Sequence, residues 1–220
     1  MESAKKVLLV EGDSDKSFFQ KLCIGLDLDT VVQVATPKDL KGRRNSKEAV
    51  FHRLEGLLNQ LHDGQITHIA VVVDADYPEY HGLGCQKTIE RVATIVKQFD
   101  FELDSVSDDG LSFKHTDGFA DFGLWVMPDN QQVGMLEDWV KACVKTDEQA
   151  LFQTACLAVE GLDSPKFSPH LTAKAEVATW LAWQKQPGHG LYGAIKDDLL
   201  DHDSTLFCKM EHWLLRIFNQ

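Results

Sequence analysis

Apolar residues follow two rhythms along this chain. Residues 5–10 end in Val7-Leu8-Leu9-Val10, a run too short for a helix and continuous enough for a strand covered on both faces. After Glu11-Gly12-Asp13 the spacing changes. Phe18, Phe19, Leu22 and Cys23 fall on one side of a helix, with Asp13 or Ser14 placed to cap it. Val31-Val32-Gln33-Val34 predicts a second strand, and Val50, Leu54, Leu57, Leu58 and Leu61 a second helix that Gly64 ends. The polar stretch between them reads as a loop. Residues 66–73 contain Ile69-Ala70-Val71-Val72-Val73, the strongest strand signal in the chain and that of a central parallel strand. Ile89, Val92, Ile95, Val96 and Phe99 return to helical spacing. The polar segment 100–118, with the turn signal Asp108-Asp109-Gly110, reads as either a hairpin or a long loop. Residues 122–127 predict another strand, and Met135 to Val140 the start of a helix. Beyond that only helical patterns follow, over roughly 146–160, 170–185 and 204–219.

Strands alternating with helices and then helices alone predict an α/β fold, a mostly parallel sheet with helices on both faces and a helical C-terminal extension. The expected division is residues 1–145 for the sheet domain and 146–220 for the extension packed on it. Its 220 residues, 44% apolar and 25% charged, suit a globular protein rather than a disordered or collagenous one. No apolar run approaches a membrane span. The start of the chain lacks the apolar region of an export signal. Five cysteines, odd in number and without zinc-ligand spacing, point to reduced thiols in a cytoplasm.

The chain carries 34 acidic against 22 basic residues, a net charge of −12, which argues against bulk electrostatic binding of nucleic acid. The exception is residues 36–53, with Lys38, Lys41, Arg43, Arg44, Lys47 and Arg53 against Asp39 and Glu48. Lys41, Arg43, Arg44 and Lys47 in this loop are the candidates for a local DNA or RNA contact, with an ordinary solvated loop as the plainer reading. There is no P-loop motif and no nucleophile elbow.

The acids carry more information. Glu11 directly follows the first strand, and Asp74 and Asp76 follow the strongest one, at the strand ends where open α/β sheets bind ligands. If the chain stays extended through Asp74-Ala75-Asp76, both aspartates face one side and could share a hard divalent cation with Glu11, Mg²⁺ or Mn²⁺, in phosphate chemistry. The plainer reading makes Glu11-Gly12 a tight strand-to-helix turn with an acid near a helix start.

Val10-Glu11-Gly12-Asp13-Ser14-Asp15 with Phe18-Phe19, and later Val72-Val73-Asp74-Ala75-Asp76, resemble the Glu-Gly and Asp-x-Asp signatures of the Toprim domain of topoisomerases, primases and OLD-type nucleases. A second resemblance spans most of the chain. Gly123 to Asn130, Gly134-Met135-Leu136-Glu137-Asp138, Lys174-Ala175, Trp180 to Gln184 and Pro187-Gly188 look like a stand-alone prokaryotic Toprim-like family with no assigned function. The resemblance implies a Toprim-like sheet with Glu11 as general acid or base and Asp74 and Asp76 holding the metal, Asp15 nearby. It implies further acids for a second metal, for which Asp129, Glu137 and Asp138 are candidates, and a catalytic lysine, for which Lys174 is the candidate. Implied with these are cleavage of nucleic-acid phosphodiesters and a separately encoded ATPase partner. The alternative is a Toprim-like regulatory or interaction protein that binds metal or nucleotide without catalysis. Of nine histidines, only His189, flanked by Gly188 and Gly190, sits in a setting that draws attention. Nothing in the sequence speaks to the oligomeric state.

Overall fold

The side chains of the first strand alternate between two separate cores, and this alternation organises the molecule. The structure is a computed structural model describing residues 5–35, 46–105 and 109–219. Strands β1 (Lys5–Val10), β2 (Thr30–Val34), β3 (Ile66–Asp74), β4 (Phe101–Ser105), β5 (Leu111–His115) and β6 (Phe122–Met127) form one sheet in the order β2-β1-β3-β6-β5-β4. The first three pair in parallel, as do β3 and β6. On the far side of β6, β5 and β4 run antiparallel. The helices are α1 (Asp13–Gly25), α2 (Ser46–His62), α3 (Cys85–Lys97), α4 (Leu136–Ala142), α5 (Gln149–Glu160), α6 (Thr172–Ala182), α7 (Gly193–Lys196) and α8 (Thr205–Phe218).

Val7 and Leu9 of β1, with Ile69, Val71 and Val73 of β3, pack against Leu54, Leu57 and Leu58 of α2 and Val92 and Val96 of α3. Leu8 and Val10, with Ala70 and Val72, face the other way, onto Phe18 and Phe19 of α1, Trp139 of α4, Trp180 of α6 and Trp213 of α8. Burial of each such side chain contributes about 1.5–3 kcal/mol, so covering both faces explains the continuous apolar runs. Residues beyond 146 supply most of the cover on the second face through Phe152, Val177, Trp180, Phe207 and Leu214. At Gly123 of β6, a Cβ would lie 2.8 Å from Ile217 Cγ1 and 3.1 Å from Trp213 Cζ2. The missing side chain is what lets α8 lie close on the sheet.

The structure resolves the choice over 100–118: β4 and β5 are the arms of an antiparallel hairpin. It also corrects the loop expected over 36–53. Residues 46–53 form the first two turns of α2, because the apolar period that marks this helix extends back through Ala49 and Val50, both buried. Lys38, Lys41, Arg43 and Arg44 lie outside the described residues. The helix expected across 170–185 begins with a 3₁₀ turn at Pro169–Leu171 and ends at Ala182. The short α7 has no counterpart among the helices read from the sequence. All five cysteines are unpaired thiols. Among the described residues, no helix is long and apolar enough to cross a membrane.

Candidate functional site

Paired in parallel register with Leu9 beside Val71, β1 and β3 bring Glu11, which follows β1, close to Asp74 at the end of β3. The Asp74 backbone N–H donates to Glu11 Oε1 at 2.9 Å. From the first turn of α4, the Leu136 N–H donates to Asp74 Oδ1, also at 2.9 Å. Lys47, in the first turn of α2, is only 4% exposed, and its ammonium donates to the Asp74 carbonyl oxygen and to Asp76 Oδ2. The residue expected to face nucleic acid from a loop is therefore turned inward onto the acids, because its position on α2 is a buried one.

These contacts leave carboxylate in excess. Burial pushes the Glu11 carboxyl up to about 7; Lys47 pulls it down, Asp76 pushes it up, the hydrogen bond from Asp74 pulls it down, and Asp15 pushes it up. Asp74 is held well above the carboxylate range, by burial first and then by Glu11, Asp15, Glu137 and Asp76. Asp15 is raised by burial, with Lys174 opposing. Glu137 is raised by burial as well, with Lys174 again opposing and Asp15 adding to the rise. Lys174 Nζ stands 3.6 Å from Glu137 Oε1, the lysine half exposed and the glutamate side chain 8% exposed. Burial works to lower the Lys174 ammonium, and Glu137, Asp74 and Asp15 outweigh it, so the ammonium is held charged. Five carboxyl groups, of Glu11, Asp15, Asp74, Asp76 and Glu137, thus share one field with two ammonium groups, of Lys47 and Lys174.

Two expectations change here. The chain is not extended through Asp76, whose φ is +61°; the alternation of side chains breaks at that residue. Asp76 reaches the cluster through a tight turn, its N–H donating to Gly134 O at 2.9 Å. The Gly82 N–H returns to Tyr77 O at 3.0 Å. A Cβ on Gly82 would meet Asp76 Cβ at 2.4 Å and Tyr77 N at 2.8 Å. Gly82→Ala should therefore push the Asp76-Tyr77 segment outward and cost about 1–3 kcal/mol, read as a lower urea midpoint. An unchanged midpoint would mean that the turn yields without strain.

Asp129 is the other change. Its Oδ1 accepts from the N–H groups of Gln131 and Gln132 at 3.1 and 2.7 Å, and its Oδ2 from the Gln132 side chain at 2.7 Å. The carboxylate is committed to closing its own turn, as aspartate commonly is, rather than to the cluster. Asp138 also acts locally, with Oδ2 accepting from the Met135 N–H at 2.9 Å and the Tyr77 hydroxyl at 2.7 Å. It ties the 134–138 turn to the turn that carries Asp76. The sequence holds no signal for Tyr77. For Lys47 the signal was helical spacing, obscured by the count of basic residues around it.

Chemically, the cluster offers oxygen donors only, the set that suits a hard divalent cation, and its negative surplus fits one. Among the described residues, however, no group of three or more His, Cys, Asp and Glu side chains is arranged to hold a metal ion. Lys47 stands against Asp74 and Asp76, and Asp74 Oδ1 is already engaged by Leu136. No curated protein and no solved structure matches the chain. A family model described as "Protein of unknown function (DUF3226)" matches residues 5–219, and the chain belongs to that family.

Proposed function

We propose that this protein is a Toprim-like, cytoplasmic, Mg²⁺- or Mn²⁺-dependent enzyme that cleaves nucleic-acid phosphodiesters. The observation that carries the reading is the surplus of partly or wholly buried carboxyl groups, with Glu11 and Asp74 hydrogen-bonded at the ends of adjacent parallel strands. Carboxylates held together against their mutual repulsion are costly unless a cation offsets them. Mg²⁺ is commonly held by one or two carboxylates together with water and substrate phosphate, so a closed set of three protein ligands is not required. Asp74 and Asp76 are the residues to hold it, with Asp15 and Glu137 beside them. When bound, the cation polarises a phosphoryl oxygen and stabilises charge in an in-line displacement.

Glu11, poised near neutrality, is suited both to accept a proton from the attacking group and to return one. Lys174, at the rim and held charged, is placed to meet substrate phosphate. A separately encoded ATPase follows from the resemblance to OLD-type nucleases. The second reading, a non-catalytic protein binding metal or nucleotide, is favoured by the Lys47–Asp76 ion pair, in which the chain supplies its own counter-charge.

Calorimetric titration of wild type and Asp74→Asn with Mg²⁺ and Mn²⁺, the same samples assayed on single-stranded, duplex and supercoiled nucleic acid, separates the two readings. Binding and cleavage, both lost in Asp74→Asn, are the expected result. Binding without cleavage on any substrate would favour the second reading. The absence of binding would end the cation-dependent one.

A further inference from the structure

An amphipathic surface helix keeps polar residues on its outer face; on α6 that face turns from Lys174 to exposed alanines. Its inner face buries Ala173, Val177, Trp180 and Leu181. Its outward positions include Lys174, Ala178 and Ala182, one helical stripe at i, i+4 and i+8. That stripe lines a cavity of about 450 Å³, within the range of small-molecule sites. Val177, Leu181 and Leu191 add apolar wall, and Gly188, His189 and Gly190 also line it. The polar end is formed by Ser14 from the first turn of α1, Glu137 from the first turn of α4 and Lys174 from the first turn of α6. Three elements thus bring a hydroxyl, a carboxylate that is 8% exposed and an ammonium to one end of an apolar cleft.

That polar end is also the near edge of the carboxylate cluster, since Lys174 acts on Asp15 and Asp74 as well as on Glu137. A ligand reaching from the cluster into the cleft would put its charged group beside Lys174 and its less polar body along Ala178 and Ala182. We infer that this cleft is a nucleotide-binding subsite, which takes one unpaired base of the substrate with the adjoining phosphate on Lys174. The inference rests on the phosphodiester reading above and adds to it a preference for single-stranded or extruded nucleotides. Small side chains along the stripe leave room for a flat ring.

The test is methyl NMR on the full chain, following Val177, Ala178, Leu181, Ala182 and Leu191 during titration with the four nucleosides, without metal, and with the four nucleoside 5′-monophosphates in Mg²⁺. Saturable shifts confined to these methyls are expected, stronger for the monophosphates. Ala178 and Ala182 are not part of the buried core, so Ala178→Trp and Ala182→Phe fill the cleft without entering it. Each should weaken nucleoside binding and cleavage of single strands by about tenfold or more, the worth of one stacked base, and leave the Mg²⁺ isotherm unchanged. The inference is overturned if no nucleoside shifts these methyls, or if both filled variants bind and cleave as wild type does. Failure of the phosphodiester reading looks different: Mg²⁺ binding or cleavage is missing in wild type while the nucleoside shifts persist.

Discussion

Above about pH 7 and without divalent cations, Glu11→Gln is expected to be more stable than wild type by about 3 kcal/mol, while its cleavage rate falls by about 10²- to 10⁴-fold. The sign follows from proton linkage. Glu11 ionises at the ordinary value of 4.5 in the unfolded chain and at about 7 in the folded one. Between these values the folded state binds more protons, so its stability is full below the lower value and declines as pH rises through the upper one. Glutamine cannot ionise, and its amide oxygen can still accept the Asp74 N–H that Glu11 Oε1 accepts. The difference between the two urea-denaturation profiles should therefore open from about pH 4.5 and level off above about pH 7. Taking the difference removes the contribution of groups such as Asp198, whose ion pair with Lys145 lowers its pKa and acts in the opposite direction. Saturating Mg²⁺ should narrow the gap, because a cation binds the deprotonated carboxylate and releases its proton. Parallel profiles would show that Glu11 titrates as an ordinary surface acid, and the proton-transfer role would fall with its raised pKa.

How much of this could be read from the sequence depends on whether period or three-dimensional neighbourhood decides a feature. The strands at 5–10 and 66–73 were legible because both faces of each are buried, which leaves an uninterrupted apolar run. Their ends located Glu11 and Asp74, and sheet geometry did the rest. Alternation failed at Asp76, since a left-handed residue breaks the period of two; Asp76 returns to the cluster only because Gly82 leaves room. Asp129, in the turn signal Pro128-Asp129-Asn130, and Glu137, at the start of a helix, were both candidates for a second metal. Asp129 closes its own turn, as that signal suggests, while Glu137 sits on α4 against Lys174, a placement that depends on the packing of α4 beside α6. The cleft along α6 was signalled weakly, by alanines where an outer face calls for polar residues.

Lys47 is where composition misled, and it also supplies the sharpest test. Grouped with the basic residues around it, it looked like a contact for nucleic acid; in the fold it is the buried counter-charge of Asp76 and a donor to the Asp74 carbonyl. Lys47→Met keeps the aliphatic stem and removes the ammonium. Without divalent cations this should cost about 1.5–3 kcal/mol, the worth of the charge-assisted hydrogen bonds lost, because the Asp76 carboxylate left behind is 39% exposed and screened by water. The Glu11 carboxyl should move further up, because Lys47 is the larger of the two influences that pull it down. Addition of Mg²⁺ tests the cation site that the enzyme reading requires. If the carboxylates form a cation site that the ammonium partly neutralises, Mg²⁺ should bind the variant more tightly than wild type and restore most of the lost stability. If the ion pair is the final state of a scaffold, the variant should be destabilised equally with and without Mg²⁺, since its acids would have no geometry for a metal to complete. Thermal unfolding of both proteins across a Mg²⁺ series reads the difference directly: convergence of the two curves supports a cation site among these acids, and a constant separation ends the cation-dependent reading.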